Sequence, residues 1–168
     1  MRLYLVRHAI AVPREHPDYQ DDDIKRPLTD EGHEQAERVA RGLDRLKIEP
    51  SLIVSSPLVR AEQTAEHLGS VLRARIQELD ALEPDTNPKE TSQALKTFAD
   101  HEELILIGHE PHLSAWMKEL VAGSGELNVL VKKGGVACID IERVPPPAGS
   151  GLLRWLMTPK QLALIAKS

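Results

Sequence analysis

The sequence predicts an α/β protein, a three-layer α/β/α sandwich around a mostly parallel central sheet with a C-terminal hairpin, and three observations lead there. First, the runs Leu3-Tyr4-Leu5-Val6, Leu52-Ile53-Val54 and Leu104-Ile105-Leu106-Ile107 are apolar throughout, with no polar alternation. Strands covered on both faces read this way, and they belong to parallel sheets buried by crossover helices. Second, segments of helical period separate the runs. Third, the 168 residues suit one domain with one core and carry no internal repeat.

The opening strand ends in Arg7-His8-Ala9. Ligands of parallel sheets bind beyond the carboxyl ends of the strands, so a guanidinium fork beside an imidazole is placed there to meet an anion. Such a dipeptide also occurs in idle loops, so it needs support from the rest of the chain. Residues 13–26 carry Pro13, Pro17 and the acidic run Asp21-Asp22-Asp23 without any period. They form a long loop, either a cover over a site or a solvated excursion. Thr29 caps the next helix, with Asp30 and Glu31 in its first turn and Ala36, Val39, Ala40, Leu43 and Leu46 at helical spacing to about Lys47.

A second strand over 51–55 turns at Ser55-Ser56-Pro57 into a helix, with Ser56 as its cap and Pro57 in first position. Arg60 falls one turn in, and Thr64 lies on the same face one turn later. An arginine near a helix N-terminus opposes the dipole, which calls for an anion there or a salt bridge to Glu34, Glu37 or Glu62. Residues 79–82 are a short apolar stretch before Glu83-Pro84-Asp85. Asn87-Pro88 opens a helix with Glu90 in the reciprocal capping position and Ala94, Leu95 and Phe98 inward. The third apolar run ends in Gly108-His109-Glu110-Pro111, and Pro111 opens a helix that buries Leu113, Trp116 or Met117, Leu120 and Val121 before Gly123 and Gly125 stop it. Residues 127–131 and 136–141 read as two strands about Lys132-Lys133-Gly134-Gly135, a hairpin. A Pro/Gly loop over 144–151, a last strand over 152–157 and a helix capped by Thr158-Pro159, packed through Leu162, Ile165 and Ala166, complete the chain.

A net charge of −5 argues against a broad nucleic-acid or anionic-membrane surface, so any anion site must be a local cluster of Arg and His. The single cysteine, Cys138, cannot form an internal disulfide and lies in a strand-like run, which fits a buried thiol in a reducing cytoplasm. There is no basic leader followed by an apolar stretch, and no window of membrane-spanning length. The expectation is a cytoplasmic, soluble monomer with neither nucleic acid nor membrane as partner.

Three strand ends thus carry Arg7-His8, the Ser56 turn with Arg60, and His109, and a parallel sheet brings such ends to one edge. Concentrated positive charge in a cleft is costly unless a ligand neutralises it, and a doubly negative phosphoryl group does so. His8 can attack phosphorus in line through a neutral ring nitrogen while the arginines hold the equatorial oxygens. A carbonyl or carboxylate on the other ring nitrogen would fix the tautomer. A metal site built on His109-x-x-His112 is the rival, but it lacks a third ligand at matching spacing, and the arginines would repel a cation.

These residues resemble the histidine phosphatase superfamily with the phosphoglycerate-mutase-like fold, and within it the small single-domain phosphohistidine phosphatases of the SixA type. Leu5-Val6-Arg7-His8-Ala9 is similar to the strand-plus-RHG signature, and Arg26-Pro27-Leu28-Thr29-Asp30-Glu31-Gly32 to the RPLT-x-x-G segment. The stretch from Ser55-Ser56-Pro57 through Arg60-Ala61-Glu62-Gln63-Thr64 resembles the SP-x-x-RA-x-QT segment. Gly108-His109-Glu110-Pro111 resembles the second histidine motif, and the stretch from Trp155 to Ala166 the subfamily's W-x-M-x-P end.

The resemblance implies His8 as the phosphorylated nucleophile, Arg7 and Arg60 as phosphate ligands, His109 as a further contact and Arg26 as a subfamily addition, with no metal or other cofactor. Ala9 stands where RHG has glycine, a tolerable change unless the backbone there needs positive φ. Many relatives place the proton donor at a position that corresponds to Glu83, and a distant branch at one that corresponds to Glu110; Glu83 is the expectation. The implied function is a metal-independent phosphohistidine phosphatase of histidine phosphorelay signalling, acting on a phosphohistidine-containing phosphotransfer domain. The alternatives are a phosphomonoesterase of the same superfamily with a small phosphorylated substrate, or a phosphoryl-binding module without turnover.

Overall fold

The three apolar runs form the middle of a six-stranded sheet in the computed structural model, which describes residues 1–19 and 22–168. The elements are β1 (Arg2–Arg7), α1 (Asp30–Arg45), β2 (Leu52–Ser55), α2 (Val59–Leu72), β3 (Ile76–Glu78), α3 (Pro88–Ala94), β4 (Glu103–Gly108), α4 (His112–Ala122), β5 (Val136–Asp140), β6 (Leu152–Met157) and α5 (Pro159–Ile165). The strand order is β3-β2-β4-β1-β5-β6. The pairs β3–β2, β2–β4 and β4–β1 are parallel, while β5 lies antiparallel to both β1 and β6.

Side chains alternate across a strand, so a run buried on both sides feeds two cores. Leu3, Leu5, Leu104 and Leu106 pack with Phe98, Trp116 and Leu120 on one side of the sheet. Tyr4, Val6, Ile105 and Ile107 pack with Val39 and Leu43 of α1, Ala65 and Leu68 of α2 and Leu162 of α5 on the other. The three layers follow from this division. Cys138 is buried in the second core, where burial pushes its thiol pKa up to about 11 and keeps it inert.

Register sets the site. Arg7 lies opposite Gly108, and Ser55 opposite Ile107. The ladder continues past the strands, with the His8 N–H donating to the Gly108 carbonyl and the Ser56 N–H to that of Ile107, each at 3.0 Å. The three strand tips therefore end level with one another at one edge.

Several elements differ from expectation. The helix after β2 starts at Val59, not Pro57, and its cap position, Leu58, offers no side-chain hydrogen bond. The Ser56 hydroxyl is committed to His109 instead, so Arg60 is the second helical residue. The strand β3 was not foreseen, because its three residues are exposed and too few to show a period. Asn87 caps α3 by accepting from the Lys89 N–H, and no reciprocal bond from Glu90 accompanies it. Residues 127–131 are not a strand: β5 has β1 on one side and β6 on the other, which leaves no edge for another partner. The C-terminal hairpin is β5–β6, around the loop after Asp140.

Of the acidic run in the first loop, Asp21 lies outside the described residues. The loop's base is pinned by an Ala11–Leu28 bridge, and the Val59 N–H donates to the Ile24 carbonyl at 3.1 Å, which ties the loop to α2. Among the described residues no helix is long and apolar enough to cross a membrane.

Candidate active site

The backbone of the β1 tip is fixed from both sides. Arg7 N–H donates to the Gly135 carbonyl at 3.1 Å, and Gly134 N–H to the carbonyls of Arg7 at 3.0 Å and His8 at 3.2 Å. His8 is 5% exposed, and its Nδ1 lies 2.7 Å from the Ala9 carbonyl. A carbonyl can only accept, so Nδ1 carries the proton and Nε2 keeps its lone pair. Burial, reinforced by the charges of Arg60, Arg7 and Arg26, lowers the His8 pKa to about 3, which keeps the ring neutral at physiological pH. Ala9 donates its N–H to Thr64 Oγ1 at 3.1 Å, and the Thr64 hydroxyl donates to the Arg60 carbonyl at 2.7 Å, which couples the β1 tip to α2. The residues other than glycine with positive φ are Lys47 and Arg73 among those described. Ala9 is not one of them, so its methyl group introduces no backbone strain.

His109 lies against His8 with ring centroids 5.0 Å apart. Its Nε2 is 2.8 Å from Ser56 Oγ, which itself accepts from the Leu58 N–H at 3.4 Å. That hydrogen bond ties the tips of β2 and β4 together. Burial, together with the neighbouring His8 and Arg60, lowers the His109 pKa to about 2.

Arg60, 1% exposed, and Arg26, 6% exposed, share one internal carboxylate. Arg60 donates from Nη1 to the Asp23 carbonyl at 2.7 Å and from Nη2 to Asp23 Oδ2 at 2.9 Å. Arg26 donates from Nε to Asp23 Oδ1 at 2.8 Å and from Nη1 to the Val12 carbonyl at 2.7 Å. Burial opposes ionisation of Asp23, but the hydrogen bond from Arg26 and the charges of Arg60, Arg26 and Arg14 outweigh it and hold the carboxyl pKa low. Arg7 donates from Nη1 to the Val131 carbonyl at 2.9 Å. Burial lowers the pKa of Arg7 and Arg60, but guanidinium groups start so high that both stay charged.

These groups meet at a cavity of about 870 Å³, whose wall includes Arg7, His8, Arg26, Arg60 and His109. Arg7 Nε, Arg60 Nε and His109 Nδ1 are buried there without a hydrogen-bond partner among the described residues. The wall itself gathers three guanidinium groups around two neutral histidines, a setting that suits acceptor oxygens. The two carboxylates considered as proton donors are placed differently. Glu110 reaches the cavity wall, but its Oε1 accepts from Ser114 Oγ at 2.7 Å and the Val131 N–H at 2.9 Å, and its Oε2 from the Ser114 N–H at 3.3 Å. Glu83 is not part of the wall, whereas the next two residues, Pro84 and Asp85, are.

Asp23, Arg14 and Lys133 also line the cavity and were not singled out from the sequence. Asp23 carried a signal, an acid three residues before Arg26; the other two carried none. The His109-x-x-His112 pair separates, because His112 Nε2 bonds Thr91 Oγ1 at 2.8 Å and its ring stacks on Trp116 in the core. No three His, Cys, Asp or Glu side chains cluster as a metal-ligand set among the described residues.

Comparison with a family model, with known sequences and with solved structures places the chain among others. The model of the histidine phosphatase superfamily (branch 1) matches residues 3–86. An uncharacterized protein of Picosynechococcus sp. is 34% identical over 139 residues, 81% of this chain and 82% of that one. Phosphohistidine phosphatase SixA of Escherichia coli (strain K12) is 26% identical over 168 residues, 98% of each chain. Among solved structures, the protein histidine phosphatase SixA complexed with tungstate matches with a TM-score of 0.82 at 26% identity, covering 96% of this chain and 99% of that one. The alpha-ribazole phosphatase from Shigella flexneri matches at 0.73 and 18% identity, covering 95% and 97%, a likeness of fold.

Proposed function

Since the chain belongs to the histidine phosphatase superfamily, we propose that it hydrolyses a phosphoryl group through a covalent phosphohistidine on His8. The observation that carries this is the His8 ring itself: proton held on Nδ1 by the Ala9 carbonyl, lone pair on Nε2, at a cavity wall shared with Arg7, Arg26 and Arg60. Nε2 attacks phosphorus, the bond to the leaving atom breaks, and water then releases phosphate from His8. Arg7, Arg26, Arg60 and His109 hold the phosphoryl oxygens as their charge shifts. Fixed guanidinium groups supply that stabilisation, so the reaction is proposed to proceed without a metal.

The preferred substrate is phosphohistidine on a phosphotransfer protein, in cytoplasmic phosphorelay signalling. The likeness to SixA along nearly the whole chain supports this reading. So does the position of the expected proton donor. An imidazole leaving group readily acquires its proton, whereas an alkoxide needs a donor. Glu83, proposed for that role, is absent from the cavity wall.

Turnover of wild-type protein and His8→Ala should be measured on a phosphohistidine protein, phosphoserine and phosphotyrosine peptides, and common sugar phosphates. Wild type should favour the first and trap an acid-labile, base-stable phosphate in a quench, and His8→Ala should do neither while melting at a similar temperature. Substantial turnover by the variant would remove His8 as nucleophile, and a preference for a sugar phosphate would reassign the substrate.

A further inference from the structure

Lys133 stands in the cavity wall with a backbone held more firmly than a surface lysine needs. Before it, the Val131 N–H is bound by Glu110 and the Val131 carbonyl by Arg7. After it, the Gly134 N–H is bound by the carbonyls of Arg7 and His8, and the Gly135 N–H donates to the Lys132 carbonyl at 2.6 Å. Gly134 has φ +73, a left-handed conformation that favours glycine at this turn. The neighbouring Lys132 is exposed, while Lys133 is part-buried. Around the cavity Lys133 shares the wall with Arg7 at the end of β1 and His8 just past it, Arg14, Glu15, Asp23 and Arg26 of the loop, Arg60 of α2, Asp85 before α3, and His109 and Glu110 beyond β4.

We propose that Lys133 is a further catalytic residue, its ammonium binding an oxygen of the phosphoryl group directly, alongside the three guanidinium groups. Among the described residues no carboxylate pairs with Lys133, although Glu15, Asp23, Asp85 and Glu110 share its wall, and the charges of Arg7, Arg26 and Arg60 repel it. Burial and the charges of Arg7, Arg26 and Arg60 all push its pKa down, with no counteracting acid. A ligand bearing two negative charges reverses that balance for all four cations together. The ammonium is a compact point charge with three rotatable donors, so it can follow the phosphoryl oxygens from substrate to transition state, where a rigid fork cannot. The assignment rests on the phosphoryl-transfer reading of this cavity.

The test is tungstate affinity, by competitive inhibition and by calorimetry, together with kcat/KM, for wild type, Lys133→Met, Lys133→Arg and Arg60→Ala. Tungstate keeps both charges through the alkaline range, so it reports titration of the protein alone. Lys133→Met should weaken tungstate binding and lower kcat/KM by roughly 10- to 100-fold, the loss of one charged hydrogen bond, with an unchanged melting temperature. Lys133→Arg should recover most of the tungstate binding but only part of kcat/KM, because its rigid fork does not follow the oxygens to the transition state. Wild-type affinity should fall as pH rises toward the lysine range, a loss absent from Lys133→Arg. If Arg60→Ala weakens tungstate while Lys133→Met binds as wild type does, Lys133 is not a ligand and the phosphoryl reading stands. If wild type itself does not bind tungstate, both fall.

Discussion

Replacing Glu110 separates two roles that its position next to the second histidine suggests, proton donor and brace. Its Oε1 receives the Val131 N–H at 2.9 Å and the Ser114 hydroxyl at 2.7 Å, and the carbonyl of that same Val131 receives Arg7 at 2.9 Å. The carboxylate thus holds the peptide that holds the Arg7 guanidinium. Glu110→Ala strands the Val131 N–H inside the protein, where Val131 is fully buried, at a cost of about 1–3 kcal/mol. For a protein of this size each kcal/mol lowers the melting temperature by roughly 2–4 °C. The expected fall is therefore about 2–12 °C, with a loss of kcat/KM as Arg7 loosens. Glu110→Gln keeps one acceptor oxygen for Val131 and Ser114 Oγ and gives up only the longer bond from the Ser114 N–H, 3.3 Å. It should melt within a few degrees of wild type and lose little activity. Thermal melts and kcat/KM on a phosphohistidine protein and on an alkyl phosphate read both effects. A Gln variant with wild-type stability that loses about 10²–10⁴-fold on the alkyl phosphate, the size of a general-acid contribution, would refute the brace and make Glu110 the donor.

Other expectations follow from single contacts. His8 has a folded pKa of about 3 against an ordinary 6.5, so between those values the unfolded chain takes up a proton that the folded one refuses. Its share of stability is complete above 6.5 and declines as pH falls toward 3; urea midpoints at several pH values should fall more steeply on acidification for wild type than for His8→Ala, and equal slopes would show that His8 titrates normally. Asp23→Asn should weaken vanadate inhibition about tenfold or more, because Arg26 and Arg60 lose the charged acceptor that aims them; tighter inhibition would instead make Asp23 a competitor of the ligand. Gly32→Ala places a methyl group on the Ile10 carbonyl, two residues past His8, and 3.2 Å from Leu28 Cβ. It should lower both the melting temperature and kcat/KM, and a variant that loses neither would show that α1 can shift at no cost.

The parts of this molecule that follow from local pattern were legible. β1, β2 and β4 are unbroken apolar runs, and the residues that end them are at the active edge because parallel strands finish together. The segment 127–131 misled for a physical reason. Leu127, Val129 and Val131 alternate as a half-buried strand does, but the backbone polar groups of Val131 are claimed by the Glu110 and Arg7 side chains instead of a ladder. Ser56 looked like a helix cap because a serine before proline usually is one, and nothing local shows that a histidine 53 residues away takes its hydroxyl. Asp23 and Lys133 could not be placed because loops have no period, and their partners are brought together only by the fold. The tautomer of His8 was expected in kind; its acceptor, the very next carbonyl, needed coordinates.

The orientation of β5 has a consequence for how the protein can diversify. Because β5 runs against β1, its beginning lies at the edge that carries His8, and Val136 pairs with Val6 near that histidine while Asp140 pairs with Arg2 at the far end. The connection from α4 into β5 therefore arrives at the mouth of the cavity, whereas the turn between β5 and β6 leaves from the opposite side of the sheet. The part of that connection that lines the cavity, Lys133, could be varied to sort substrates by size and charge, without touching a strand. Residues inserted after Asp140 would lengthen a remote turn. One sheet thus offers a permissive site for tags or fusions and a separate one for new specificity.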